Sequence, residues 1–146
     1  MTKVSAAAAA PGTAEQVREL WFDTSRWPAF VDGFSHVVRA DEGWPDRGEI
    51  VWDSTPHGRG RVVERPDGTF EDAQLRGTQS VRFEPLDGGV RVTLEMAYAI
   101  KERTVVTPFV DFFFVRRAMR DALTRTVRRF AAECRMDADL RAGSAR

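Results

Sequence analysis

The sequence predicts an α+β domain in which a curved antiparallel sheet packs against one long C-terminal helix. Three observations predict this fold class. An amphipathic segment runs from Thr107 to about Met136, a series of strand-like segments precedes it, and two short helical segments follow an alanine-rich first strand. A long helix that closes a β-rich chain buries its apolar stripe against the concave face of the sheet. Such an architecture tends to enclose a cavity.

The first 33 residues predict one strand followed by two short helices. We assign Lys3–Ala10 to the first strand, because the segment before Pro11-Gly12 is too short for an independent helix. Its small side chains would leave space rather than fill it. Thr13–Gln16 has the form of a capping box and opens the first helix. Ser25–Pro28 opens the second, which ends near Asp32-Gly33.

The middle of the chain predicts consecutive strands separated by turn residues. One of the predicted turns contains Gly77. The strand candidates are Phe34–Ala40, Glu49–Ser54, Gly60–Arg65, Thr69–Leu75, Gln79–Glu84 and Val90–Ile100. The last of them alternates apolar and polar residues along its length, which separates an inner from an outer face.

The facing of Gly60–Arg65 is ambiguous from the sequence. Either Val62 and Glu64 point inward, or Val63 points inward together with Arg61 and Arg65. We favour the first arrangement because it buries one charge rather than two.

The last helix begins with the N-cap hydroxyl of Thr107 and a proline at its first position. On a helical wheel its apolar stripe consists of Phe112, Val115, Met119, Ala122, Leu123, Thr126, Val127, Phe130 and Cys134. Arg116 interrupts this arc. Phe113 and Phe114 project away from it and need a cover, for which a neighbouring loop is the simplest choice.

Size and composition predict one domain, residues 1–136, followed by a flexible tail at Asp137–Arg146. Lys plus Arg and Asp plus Glu are both 22, so no net charge attracts nucleic acid, and we predict no nucleic-acid partner. The single cysteine and two histidines argue against a structural zinc site, and we expect no metal. No apolar run reaches the length of a membrane span and no signal pattern opens the chain, so we predict a cytoplasmic protein without stable membrane insertion.

A family resemblance follows from the order of these motifs. They are Ala10–Val17 leading into the first helix, Trp27-Pro28, Gly48–Trp52, the Pro56–Val62 hairpin, and the terminal helix. Together they resemble the helix-grip fold of the START-related, birch-pollen-allergen-like superfamily (SRPBCC), and within it the bacterial polyketide cyclase/dehydrase-like group. The resemblance implies a seven-stranded antiparallel sheet wrapped around the last helix, with a lipophilic pocket between them. It carries over no universal catalytic residues.

These observations lead to three functional hypotheses. The first is binding of a small hydrophobic or aromatic metabolite (a lipid, quinone or polyketide-like molecule) in an internal cavity, with no cofactor. The second is a cofactor-independent polyketide cyclase, aromatase or dehydratase that uses acid/base groups in the same cavity. The third, ranked below them, is a protein-binding module or homodimer in which Phe113 and Phe114 meet the partner.

Candidate site residues come from the predicted inner faces. The predicted ligand contacts are Trp27, Phe30, Trp52, Ser54, Val62, Phe83, Met96, Phe112, Val115, Met119 and Leu123. Glu64, Arg116 and Tyr98 are the candidate catalytic or orienting groups. An inward Glu64 would have its pKa raised by desolvation and could serve as acid or base, whereas an outward Glu64 would be an ordinary solvated carboxylate. Tyr98 could bond a ligand carbonyl or a neighbouring backbone group, and Arg116 a ligand oxygen or an acidic side chain.

Overall fold

A computed structural model describes residues 1–56, 58–101 and 108–144, with residues 108–112 described by their backbone alone. In chain order its elements are β1 (Thr2–Ala10), α1 (Ala14–Phe22), a 3₁₀ turn (Thr24–Arg26), α2 (Trp27–Phe30), β2 (Phe34–Ala40), β3 (Ile50–Ser54), β4 (Arg61–Glu64), β5 (Thr69–Glu71), β6 (Leu75–Leu86), β7 (Gly89–Ile100) and α3 (Pro108–Ser144). Over these residues the strands form one seven-stranded antiparallel sheet in the order β1-β7-β6-β5-β4-β3-β2. The predicted helix-grip α+β fold is confirmed.

The helix that follows β1 starts as its sequence predicts. The Thr13 hydroxyl accepts a hydrogen bond from the backbone N–H of Gln16 at 3.1 Å, and the Gln16 side chain accepts one from the Thr13 N–H at 3.0 Å. This capping box satisfies two of the N–H groups that a helix start leaves unpaired. From there α1 buries Val17 and Leu20, and α2 buries Trp27 and Phe30.

Strand β1 pairs with β7 along its whole length, from Thr2 opposite Tyr98 to Ala10 opposite Val90. Helix α3 packs directly on β1. Because an alanine side chain ends at Cβ, the alanines of β1 allow this close approach of the helix to the strand. The space that small side chains leave beside β1 is therefore used by α3.

Several strand boundaries differ from the sequence-based assignment, and two of these differences have a clear local cause. The predicted strand Thr69–Leu75 ends at Glu71, because the Asp72 carboxylate accepts the backbone N–H groups of Gln74 (2.9 Å) and Leu75 (2.7 Å) and turns the chain. Gly77 was assigned to a turn, but it lies inside β6, where a Cβ would come within 1.9 Å of the Ala97 carbonyl oxygen. This glycine marks a close approach of two backbones and not a turn.

Helix α3 extends beyond Met136 and ends at Ser144. Asp137 lies in this continuation and pairs with Arg141 at 2.8 Å, four residues along the helix. Asp137–Ser144 is thus helical, while its flexibility and the domain limits at 1–136 stay predictions. The proposed N-cap, Thr107, lies outside the described residues. Near the N-terminal end of α3, the side chains of Phe113 and Phe114 are 63% and 75% exposed.

Most of the buried apolar side chains in the described part of the chain form two clusters between the sheet and the helices. The first is rich in aromatic residues, with the Phe30 and Phe130 rings 4.9 Å apart and close to edge-on. The second contains Phe70, Met96 and Leu123. Helix α3 contributes to both clusters through one face. Within the described residues, no helix is both long and apolar enough to cross a membrane.

Candidate functional site

A cavity of about 120 Å³ lies where the two buried clusters meet. Most of its wall is apolar: Trp21, Trp27, Phe30, Val31, Trp52, Leu94, Met96, Met119, Ala122 and Leu123. Its remaining lining residues are Asp32, Gly33, Ser54, Gly58, Arg59, Glu64, Gln79 and Thr126. An apolar wall with a few convergent polar groups is typical of a small-molecule site.

Glu64 reaches this cavity because of the pairing between β3 and β4. The register places Ile50 opposite Glu64 and Trp52 opposite Val62, so these side chains share one face of the sheet. Val62 and Glu64 are buried, whereas Arg61 is exposed. The favoured facing of Gly60–Arg65 is confirmed.

The Glu64 carboxyl group has two side-chain donors. The indole Nε1 of Trp52 donates to Oε2 at 2.6 Å, across the diagonal between neighbouring strands. Gln79 Nε2, from β6, donates to Oε1. Both carboxyl oxygens are therefore held in place by residues that themselves line the cavity.

Burial raises the pKa of Glu64, while the nearby charge of Arg59 and the hydrogen bond from Trp52 oppose that rise. Desolvation is the largest of the three effects, because the interactions with Arg59 and Trp52 offset only part of the hydration free energy that the carboxylate loses on burial. The protonated form therefore persists to higher pH than in an exposed glutamate. A carboxyl group whose pKa moves toward neutrality can act as a general acid or base.

Arg59 lies in the connection between β3 and β4 and is held by three neighbours. Its Nε donates to Asp72 Oδ2 at 2.8 Å, and the Asp72 side chain is only 2% exposed. The guanidinium carbon lies 5.6 Å from the centre of the Trp52 ring and 5.1 Å from that of Phe70. Its Nη2 atom is buried and has no hydrogen-bond partner among the described residues.

One side of the cavity is bounded by the loop after α2. The Gly33 carbonyl accepts the backbone N–H of Thr55 at 2.8 Å, which ties this loop to the end of β3. The Asp32 N–H donates to the Thr126 hydroxyl at 3.1 Å, and the Asp32 carboxylate pairs with Arg125 at 2.9 Å. These contacts fasten the loop to α3 as well, so sheet, loop and helix enclose the cavity together.

The structure brings together eight of the residues predicted for the site. The cavity lining includes Trp27, Phe30, Trp52, Ser54, Glu64, Met96, Met119 and Leu123. Whether any of them binds a ligand stays a prediction. The side chain of Phe112 lies outside the described residues.

Five other predicted site residues lie away from this lining. Val62 is fully buried within the first cluster, and Phe83 packs at its edge, while Val115 packs at the edge of the second. Tyr98 is buried in the second cluster, with no hydrogen-bond partner for its hydroxyl among the described residues. Burial raises the pKa of Tyr98, and the charge of Arg116, half-buried on α3, opposes that rise.

Sequence reasoning missed several lining residues, some of which left a readable signal. Gln79 precedes Val81 and Phe83 by steps of two, so the alternation that places those residues inward also places Gln79 inward. Ala122 and Thr126 belong to the predicted apolar stripe of the helix. Arg59 left no such signal, because its position depends on Asp72, far along the chain. The others missed are Trp21, Val31, Asp32, Gly33, Gly58 and Leu94.

Several solved structures share this architecture. TTHA0849 from Thermus thermophilus superposes with a TM-score of 0.71 at 17% identity, covering 93% of this chain and 99% of that protein. The Zhui aromatase/cyclase from Streptomyces sp. R1128 gives 0.72 at 12% identity, covering 92% and 93%. The di-domain ARO/CYC StfQ from the steffimycin biosynthetic pathway gives 0.71 at 17% identity, and the match covers 94% of this chain but 51% of StfQ.

At these identities the similarity shows the fold alone. The helix-grip fold that the resemblance implied is therefore confirmed, while a place in the polyketide cyclase group stays a prediction. No family model matches the sequence, and the search of curated proteins finds no match. Among the described residues, no three His, Cys, Asp or Glu side chains are placed to hold a metal ion.

Proposed function

We propose that this protein binds a small hydrophobic or aromatic molecule in the cavity beside Glu64. The observation that carries the proposal is a buried carboxyl group, held by Trp52 and Gln79, within an otherwise largely apolar hollow. Burying a carboxyl group costs folding free energy, and an apolar residue would fill the same place without that cost. Such a costly arrangement is typical of a functional site.

The size and lining of the cavity support a compact ligand. Its volume, about 120 Å³, is close to that of an engineered apolar cavity of about 150 Å³ that binds benzene. Removal of apolar surface from water would supply most of the affinity, at roughly 25 cal/mol per Å². Glu64 and the other polar lining groups would set the orientation. The aromatase/cyclase names of two structural neighbours agree with an aromatic ligand.

A cavity-filling variant tests this proposal. We would screen lipids, quinones, flavonoid-like compounds and one-ring aromatics by native mass spectrometry and thermal shift. Ala122→Phe places a ring at the cavity wall, and Ala132→Phe places the same ring at an exposed site on the same helix. We expect binding to the wild type and to Ala132→Phe, and at least tenfold weaker binding to Ala122→Phe. Absence of any binder to the wild type, or equal binding to both variants, would refute the proposal.

Acid/base catalysis by Glu64 is a second candidate function, favoured by its position at the cavity and its raised pKa. The carboxylate would take the α-proton of a β-dicarbonyl substrate, and the resulting enolate would attack a second carbonyl carbon of the same molecule. The protonated Glu64 would then return its proton to the alkoxide formed in that step. Arg116 and Tyr98 lie away from the cavity lining and have no role in this scheme.

The comparison of two variants separates catalysis from binding. Glu64→Gln keeps the shape of the side chain but cannot accept the substrate proton, so we expect turnover of a cyclising diketone to fall at least 100-fold. We expect its binding to change far less. Arg116→Ala, which alters a residue outside the cavity lining, should retain turnover. Full turnover in Glu64→Gln would eliminate the catalytic role.

A further inference from the structure

One residue of the cavity wall carries a strong hydrogen-bond donor that the described residues leave unused. Arg59 lines the cavity, and its Nη2 atom is buried without a partner among them. A buried donor without an acceptor costs folding free energy, and most such groups in native proteins are paired. A ligand that brings an acceptor oxygen to this atom would remove that cost.

The position of the guanidinium group is fixed before any ligand arrives. Asp72 holds Nε at 2.8 Å, and the rings of Trp52 and Phe70 flank the guanidinium carbon at 5.6 and 5.1 Å. Because these contacts restrict the side chain, it loses little further freedom when it bonds a ligand. An acceptor placed near Nη2 would therefore meet a preorganised donor.

The charges around Arg59 favour an uncharged ligand. The positive charge is already matched by Asp72, whose side chain is 2% exposed. Among the described residues, Glu64 is a second acidic group beside Arg59, and its carboxyl oxygens accept hydrogen bonds from Trp52 and Gln79. A carboxylate ligand would add another acidic group to this low-dielectric place, and removing its charge from water is costly. A carbonyl oxygen accepts the same hydrogen bond without that charge.

We propose that the cavity takes a one-ring aromatic compound with an uncharged carbonyl group, whose oxygen accepts a hydrogen bond from Arg59 Nη2. This inference rests on the proposed binding function and adds the ligand class. A single ring matches the cavity volume of about 120 Å³, and a carbonyl oxygen supplies an acceptor for the unpaired Nη2. The ring packs against the apolar wall that Met119 and Leu123 contribute from α3.

Four probes of graded chemistry test the inference on the wild-type protein by calorimetric titration. Acetophenone carries the ring and the carbonyl, ethylbenzene lacks the oxygen, benzoate replaces the ketone by a charge, and 2-acetylnaphthalene adds a second ring. We expect acetophenone to bind at least tenfold more tightly than each of the other three, because a hydrogen bond to a charged donor is stronger than one between neutral groups.

Arg59→Lys tests the donor while keeping a cation that can pair with Asp72. We expect it to weaken acetophenone binding about tenfold or more and to leave ethylbenzene binding unchanged. Arg61→Lys, at an exposed site on β4 that pairs with Asp53, is the matched control and should bind both compounds as the wild type does. Thermal unfolding of each variant verifies that it is folded.

The outcomes distinguish a failure of the assigned ligand class from a failure of binding in the cavity. If ethylbenzene binds the wild type as tightly as acetophenone, or if Arg59→Lys weakens both equally, the carbonyl assignment is overturned while binding in the cavity stands. Preferential binding of benzoate or of the two-ring ketone overturns the proposed ligand class. If none of the four compounds binds, the proposed function fails and this inference fails with it.

Discussion

The Trp52 indole N–H donates a hydrogen bond of 2.6 Å to Glu64 Oε2. The two residues lie on neighbouring strands and are diagonal partners, since Trp52 pairs directly with Val62 and Glu64 with Ile50. The same indole ring lies beneath the guanidinium group of Arg59. Trp52 therefore contacts both Glu64 and Arg59, and a substitution of Trp52 should affect the titration of Glu64 as well as packing.

Trp52→Phe should raise the pKa of Glu64 further. The substitution keeps an aromatic ring but removes the donor that favours the charged carboxylate, so desolvation acts with less opposition. We expect a destabilisation of about 3 kcal/mol from the lost buried hydrogen bond and lost ring volume. Carboxyl ¹³C NMR follows the titration, and urea denaturation measures the free energy of unfolding.

Trp44→Phe is the matched control for that prediction. It removes the same part of a ring, but the Trp44 Nε1 is buried without a hydrogen-bond partner among the described residues. Trp44→Phe should therefore destabilise the protein less than Trp52→Phe does, by about 1 kcal/mol or more, and should not move the pKa of Glu64. Equal destabilisation by the two substitutions would show that the Trp52–Glu64 hydrogen bond contributes nothing to stability.

The pH dependence of stability should differ between the wild type and Glu64→Gln. The folded protein holds the Glu64 proton to higher pH than the unfolded chain, whose glutamate has the ordinary pKa of 4.5. This favours the folded state fully below pH 4.5, and the contribution is lost as the pH rises through the raised folded-state pKa. Across that window the free energy of unfolding of the wild type should fall relative to that of Glu64→Gln.

Urea denaturation at a series of pH values from about 4 to about 8 measures this difference. Other carboxyl groups titrate in both proteins, so their contributions cancel when the two curves are subtracted. Glu19→Gln, which removes an exposed carboxyl group from α1, is the control, and the pH-dependent difference for Glu64→Gln should exceed the one for Glu19→Gln. A difference between wild type and Glu64→Gln that is constant over this range would contradict the raised pKa.

The sequence predicted the order of elements because each depends on local signals. The capping box at Thr13 and the alternation along Val90–Ile100 act over a few residues and are visible in the sequence. The facing of Glu64 also followed from a local argument, since its alternative buried two arginines. The apolar stripe of α3 is also a local pattern, and two of its predicted ligand contacts, Met119 and Leu123, line the cavity.

The parts that sequence reasoning missed depend on contacts between distant residues. Arg59 lines the cavity because Asp72 holds it there, and neither residue alone indicates the other. Tyr98 and Arg116 are predicted at the site from their inward or stripe positions, and neither lines this cavity, because position along a strand or helix does not fix depth within the core. Their functional role stays a prediction. Periodicity predicts which way a side chain faces, but the packing of neighbours decides what it reaches.

Gly77→Ala should be strongly destabilising despite its small size. A Cβ at this position would lie 1.9 Å from the Ala97 carbonyl oxygen and 2.8 Å from the Tyr98 Cα, so strands β6 and β7 would have to separate. We expect a loss of about 3 kcal/mol or more, measured by thermal or urea denaturation. Gly143→Ala, near the end of α3 where a Cβ meets nothing within 4 Å, should instead be neutral or stabilise by up to about 1 kcal/mol. Similar stability of the two variants would refute the close approach at Gly77.

Asp72→Asn should separate the two roles of this aspartate. Asparagine retains an oxygen that can accept the backbone N–H groups of Gln74 and Leu75, so the turn between β5 and β6 should persist. It removes the negative charge that pairs with Arg59, whose side chain is 21% exposed. We expect a destabilisation of about 2 kcal/mol, below the value for a fully buried pair because Arg59 retains some contact with water.

The same substitution should alter the cavity, because Asp72 positions the Arg59 guanidinium group. With its charge no longer matched, Arg59 should favour an anionic ligand, so benzoate should gain affinity relative to acetophenone. Asp53→Asn breaks the comparable pair with Arg61 on the exposed side of the hairpin and should leave this preference unchanged. Paired calorimetric titrations with the two ligands measure the preference. If Asp72→Asn leaves it unaltered, the charge of Asp72 does not explain why the cavity would prefer a neutral ligand.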